Sequence, residues 1–93
     1  MDDNKIYNGN RAREVLDNEV FKWAMTQIRD EVIQQWAISP VRDADGREKL
    51  WLILKASEKF EAILKTTLDT GKLAMLDREH QRKRKAQSTG DPS

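Results

Sequence analysis

Residues 11–38 read RAREVLDNEVFKWAMTQIRDEVIQQWAI, and this stretch decides the fold class. Ala12, Leu16, Val20, Ala24, Ile28, Val32 and Trp36 recur at an unbroken spacing of four. That ladder predicts one long helix over residues 11–38. A helix turns once every ~3.6 residues, so a strict spacing of four drifts by about 40° per step. The apolar stripe therefore winds around the rod, and one straight neighbour does not cover it. Such a helix needs partners on more than one side. Assembly, rather than chemistry, is the expected role.

Downstream, Ser39-Pro40 ends the helix, because proline lacks an amide donor and biases its predecessor away from helix. A short polar connection follows. Asp45 with Glu48 three residues on fits a reciprocal cap, so a second helix is expected over residues 46–84. Leu50, Ile53, Leu54, Phe60, Ile63, Leu64 and Leu68 form its stripe. Gly71 lies on the same stripe. It either ends the helix or lets another backbone approach in mid-helix; a nearly continuous helix, bent at Gly71, is the favoured reading.

Upstream, residues 1–9 read as a flexible arm with a turn at Asn8-Gly9, and Asn10 as an N-cap. Residues 86–93 read as a disordered tail. The expected architecture is all-α: one domain, residues 10–85, forming a long antiparallel helical hairpin that is oligomeric and has disordered termini.

The chain has 93 residues, 38% apolar and 35% charged, so it has little to bury. Chains of this size are marginal without a disulfide, a metal or an oligomer. With no cysteine and one histidine, neither a disulfide nor a metal or other cofactor is expected, which leaves association. The absence of cysteine fits a reducing compartment. No membrane span or signal peptide is read in the sequence, and no small-molecule ligand is expected. Net charge is +1, but residues 72–86 carry six basic and two acidic side chains. The basic character sits at one end.

Trp51 is the most pointed single residue. It lies about 160° from the centre of its helix's main stripe, near Leu73 and Leu76 in azimuth. It is either an interface anchor or a lid folded back over the loop around Val41. Trp23, beside Leu16 and Val20, marks the early end of the winding stripe and is a second interface candidate. Trp36 completes the ladder and is expected in the core. Arg78, Arg82, Lys83, Arg84 and Lys85 suit phosphate contact, or equally a solvated helix end that complements the dipole. No aromatic residue interleaves the run to stack bases.

His80 stands alone as a surface histidine. Asp43-Ala44-Asp45-Gly46 hints at a calcium loop, but the twelfth position is Leu54 instead of an acidic residue. Thr70-Gly71-Lys72 hints at a phosphate loop, but Thr66 and Leu73 stand where glycine and Ser/Thr are needed. No nucleophile–base pair is available, and the carboxylates sit among compensating lysines and arginines at helical spacing. A non-enzymatic protein is expected.

Arg11-Ala12, Val15-Leu16, Trp36 with Ser39-Pro40, the run Asp43-Ala44-Asp45-Gly46-Arg47-Glu48-Lys49-Leu50-Trp51, and Gly71-Lys72-Leu73-Ala74 carry a resemblance over residues 11–76. The chain resembles short helical proteins encoded in tailed-phage and prophage morphogenesis clusters. The resemblance implies a virion-assembly or packaging context, in the host cytoplasm or the virion, and transfers no catalytic residue. The leading expectation is a bacteriophage assembly protein acting through apolar helix faces, with a second copy or a larger particle protein as partner. The alternatives are a packaging accessory that binds nucleic acid through the basic end, and a small phage inhibitor of a host protein.

Overall fold

In a computed structural model, the backbone is described for residues 2–89 and the side chains for residues 3–84. It holds three helices and, among the described residues, no strand: α1, Asp2–Asp17; α2, Glu19–Ile38; and α3, Ala44–Thr89. The particle is a rod with extents of 79 × 24 × 17 Å. One limb is α1 followed by α2, and the other is the single helix α3. Asp3 meets Arg78, Gly9 meets Gly71, Phe21 meets Phe60 and Trp36 meets Arg47, so partners descend along α3 as they ascend along the first limb.

The first limb is not the single helix that the ladder predicts. Asn18 is extended at φ −68° and ψ 127°, and its side-chain oxygen accepts from the Phe21 amide at 3.0 Å. The helical bond from the Lys22 amide to the Asn18 carbonyl survives at 3.1 Å, so the interruption costs one residue only. Its consequence for packing is large. A stripe spaced by four winds away from a straight neighbour, and the break at Asn18 resets the azimuth. Ala12 before the break and Val32 after it are both buried, while Val20 beside it is 70% exposed.

The start of the chain also differs from expectation. Residues 2–9, read as an arm, belong to α1, and neither the Asn8-Gly9 turn nor the Asn10 cap forms; Asn18 is the asparagine that caps. Alone, this polar segment has little reason to be helical. It gains one from α3. A Cβ placed on Gly9 would lie 2.9 Å from the Gly71 Cα, and one on Gly71 would lie 2.8 Å from the Gly9 Cα. Only two glycines let the backbones come that close. Ala12 and Ala74, each three residues further along its helix, are buried and extend the same contact.

Gly71 accordingly neither ends nor caps α3, which runs through it as continuous helix. Of the two readings of this glycine, close approach of another backbone is the one observed. The start of α3 lies two residues before the expected one. Asp43 replaces Asp45 as the capping residue, its carboxylate accepting from the Gly46 amide at 3.0 Å and its carbonyl from the Arg47 amide at 3.0 Å. At the other end, residues 86–89 of the expected tail are helical backbone, and residues 90–93 lie outside the described ones.

The covered face of α3 runs through Leu50, Leu54, Ser57, Glu61, Leu64, Leu68 and Gly71, alternating steps of four and three. That alternation averages 3.5 residues and keeps a seam facing a neighbour over many turns. The core along it is thin: Ala12, Val32, Leu50 and Ala74 are the buried apolar residues among those described.

Candidate functional site

The tryptophans show what the thin core leaves outside. Trp36, expected in the core, is 40% exposed, Trp51 is 49% exposed and Trp23 is 62% exposed. Trp36 emerges because α2 ends two residues later at Ile38, where the Ser39 hydroxyl and amide both return to its carbonyl, at 2.7 and 3.2 Å. The Arg47 guanidinium lies 4.5 Å from the centre of its ring. Such a cation over an indole face is favourable electrostatically. The Arg47 Nε is buried without a hydrogen-bond partner among the described residues, so the ring is its nearest compensation.

Trp51 does not fold over the loop: Val41 stays 83% exposed. Instead Trp51 lines one side of an open groove of about 340 Å³, with Val32, Ile33, Trp36, Ala37 and Leu54 as its other walls. Every lining residue is apolar. Lys55 lies 5.7 Å from the Trp51 ring centre, so a cation sits beside each indole of the groove. An apolar floor with cationic edges suits an apolar side chain carried by a polar or acidic segment.

Counting about 100° per residue from Phe21, which meets α3, Val20 falls on the side of the α2–α3 pair opposite Trp36, and Trp23 at the outer rim of that side. By the turn of the helix they share the flank where Ile53, Phe60 and Ile63 line α3. These three residues are each about half exposed, although Phe60 also meets Phe21 at a ring separation of 6.0 Å. Ile53 and Ile63 belong to the apolar stripe that the sequence predicts for the core, but the structure leaves both half exposed. They miss the seam because each lies one position, about 100° of helix turn, from the seam residues Leu54 and Leu64. The α2 half of this flank, Val20 and Trp23, is an interface candidate in the sequence, whereas its α3 half is not. Its signal was the surplus of apolar residues at neighbouring azimuths on α3.

The remaining candidates are scattered. Leu16 is part-buried and lines a shallow concavity with Phe21, Met25 and Leu68. Leu73 and Leu76 are exposed on the outside of α3 and do not join Trp51. Arg78 reaches back to Asp3 at 3.3 Å. Arg82, Lys83 and Arg84 are exposed on the part of α3 that passes the start of α1, and none forms an ion pair among the described residues. The Lys85 side chain lies outside the described set. No helix is long and apolar enough to cross a membrane among the described residues.

Comparison with known proteins gives no matching family model, curated protein or solved structure.

Proposed function

We propose that this chain is a non-enzymatic assembly protein: an antiparallel helical hairpin that works by being covered, through its exposed apolar flanks, by further copies or by a larger phage particle. The observation that carries this reading is the exposure of all three tryptophans, at 40%, 49% and 62%. Tryptophan is the residue most enriched where binding energy concentrates. The surface balance agrees. The chain presents 7784 Å² to solvent, whereas a compact monomer of its 10.8 kDa mass presents about 5,500 Å². The phage-morphogenesis setting, with the host cytoplasm or the virion as its location, is carried into this proposal from the resemblance over residues 11–76 alone.

The test is native purification of the tagged chain from phage-producing cells, with molar mass read by light scattering. The expected result is a mass above 10.8 kDa, or a stable complex with a component of the particle. A clean monomer at high micromolar concentration, with no phage companion, overturns the reading.

A second reading rests on the overhang of α3. Arg82, Lys83 and Arg84 project beyond α1 on a single helix, a shape that reaches phosphate from several directions. Duplex DNA affinity that falls steeply with added salt, and disappears when these three become glutamine, supports a packaging accessory. Binding unchanged by those substitutions removes it.

A further inference from the structure

We infer that the flank formed by Val20, Trp23, Ile53, Phe60 and Ile63 is covered by the same flank of a second copy, making a four-helix bundle about a two-fold axis parallel to the rod. The inference rests on the assembly reading above and assigns it one face and one partner.

Charge is the first ground. Along this flank, counting about 100° per residue, Glu31 lies on the α2 edge and Lys49 on the α3 edge, with Asp45 one turn before Lys49 at the loop end. The Phe21–Phe60 and Trp36–Arg47 contacts place Glu31 about level with Trp51, within two residues of Lys49. Two residues of helix are about 3 Å. A two-fold axis along the rod lays α2 of one copy over α3 of the other at equal height. It therefore brings Glu31 to Lys49 of the other copy twice, and no like pair is forced together. A two-fold across the rod would set α2 on α2 and α3 on α3 at inverted heights, and so would not bring Glu31 to Lys49 of the other copy. The charge pattern selects the first arrangement, in which every helix also neighbours one of opposite direction, as in a four-helix bundle.

Side-chain match is the second ground. By the same levels Val20 falls opposite Glu61 in height, and so over the space between Phe60 and Ile63 of the other copy. Trp23 falls over Lys59, whose methylene stem can lie on an indole while its charge stays wet. Area is the third. Five side chains at half exposure or more, two of them aromatic, offer on the order of 500 Å² per copy, so two copies clear the ~1,000 Å² expected of a specific interface. The Trp36–Trp51 groove faces the other way and stays open in the dimer.

Sedimentation equilibrium of the full chain tests this, with variants on the two flanks. Wild type is expected to reach twice the 10.8 kDa chain mass. Trp23→Asp, at an exposed position, raises the dissociation constant by about thirtyfold or more. Glu31→Lys or Lys49→Glu alone raises it by about tenfold, and mixing the two single variants restores part of the loss in a heterodimer. Circular dichroism confirms that each variant keeps its helix. Trp51→Ser, on the other flank, leaves the mass at the dimer value. A dimer that ignores Trp23→Asp but is broken by Trp51→Ser overturns this inference and leaves the assembly reading standing. A wild type that stays monomeric also overturns it, and native co-purification with a particle component then decides the broader reading separately.

Discussion

The two ends of the rod hold together by opposite means. Where α1 meets α3, the contact is made of the smallest residues, Gly9 and Ala12 against Gly71 and Ala74, and backbone touches backbone. Where α2 meets α3, near the loop, Val32 and Leu50 fill the space and Trp36 and Trp51 overflow it. The first end owes its stability to shape: many short-range dispersion contacts that exist only because nothing projects between the helices. The second owes it to removal of large apolar groups from water. The contrast teaches where spare surface comes from. An interface of glycine and alanine uses up its whole face, whereas one of bulky residues leaves their far sides outside.

That difference predicts opposite sensitivities. At the loop end, removing atoms is the damaging change. Leu50→Ala should cost about 2–5 kcal/mol, the range for emptying a buried leucine site, read as a lower urea midpoint at unchanged slope. A loss below about 1 kcal/mol would mean that Leu50 contributes little to the core.

At the glycine end, adding atoms is the damaging change. Gly71→Ala brings a Cβ to 2.9 Å from the Lys5 carbonyl oxygen as well as against Gly9, and both obstacles are backbone, which cannot swing aside. Strain of about 1–3 kcal/mol is set against about 1 kcal/mol of better helix propensity. The expected outcome is a net loss confined to α1. Its amides should exchange with solvent faster while those of α2 keep their protection. A variant more stable than wild type would show that the close approach is not real.

Between the two ends, Asn18 lets the first limb change azimuth. Asn18→Ala removes the cap on the Phe21 amide and should cost about 1 kcal/mol. It also favours one straight helix from α1 into α2, so helicity by circular dichroism should not fall. The smallest effect belongs to Asp3→Asn. Its partner Arg78 and Asp3 itself are 56% and 86% exposed, and such pairs contribute about 0.2–1 kcal/mol at most. A midpoint within error of wild type is expected.

The sequence disclosed much of this and missed an identifiable part. The helices, the stop at Ser39-Pro40 and the buried positions Ala12, Val32 and Leu50 follow from periodicity and proline chemistry alone. The break at Asn18 does not, because periodicity runs straight through it. The physical conflict was nevertheless present, since a stripe spaced by four and one straight neighbour are incompatible. Helix at residues 2–9 was hidden for a different reason. Its cause is a contact with Gly71, more than sixty residues away in the chain, and local propensity favours a turn at Asn8-Gly9. Trp51 was legible as a side chain off the main stripe. Its groove with Trp36 was not, because it depends on how two helices end at one loop.

The central claim is that the flank left uncovered within one chain is covered between chains. It is tested most directly by acrylamide quenching of Trp23 as sole fluorophore, with Trp36 and Trp51 replaced by phenylalanine, across a dilution series. The account predicts free access of the quencher in dilute solution and progressive protection as concentration rises. Equal quenching at every concentration would contradict it.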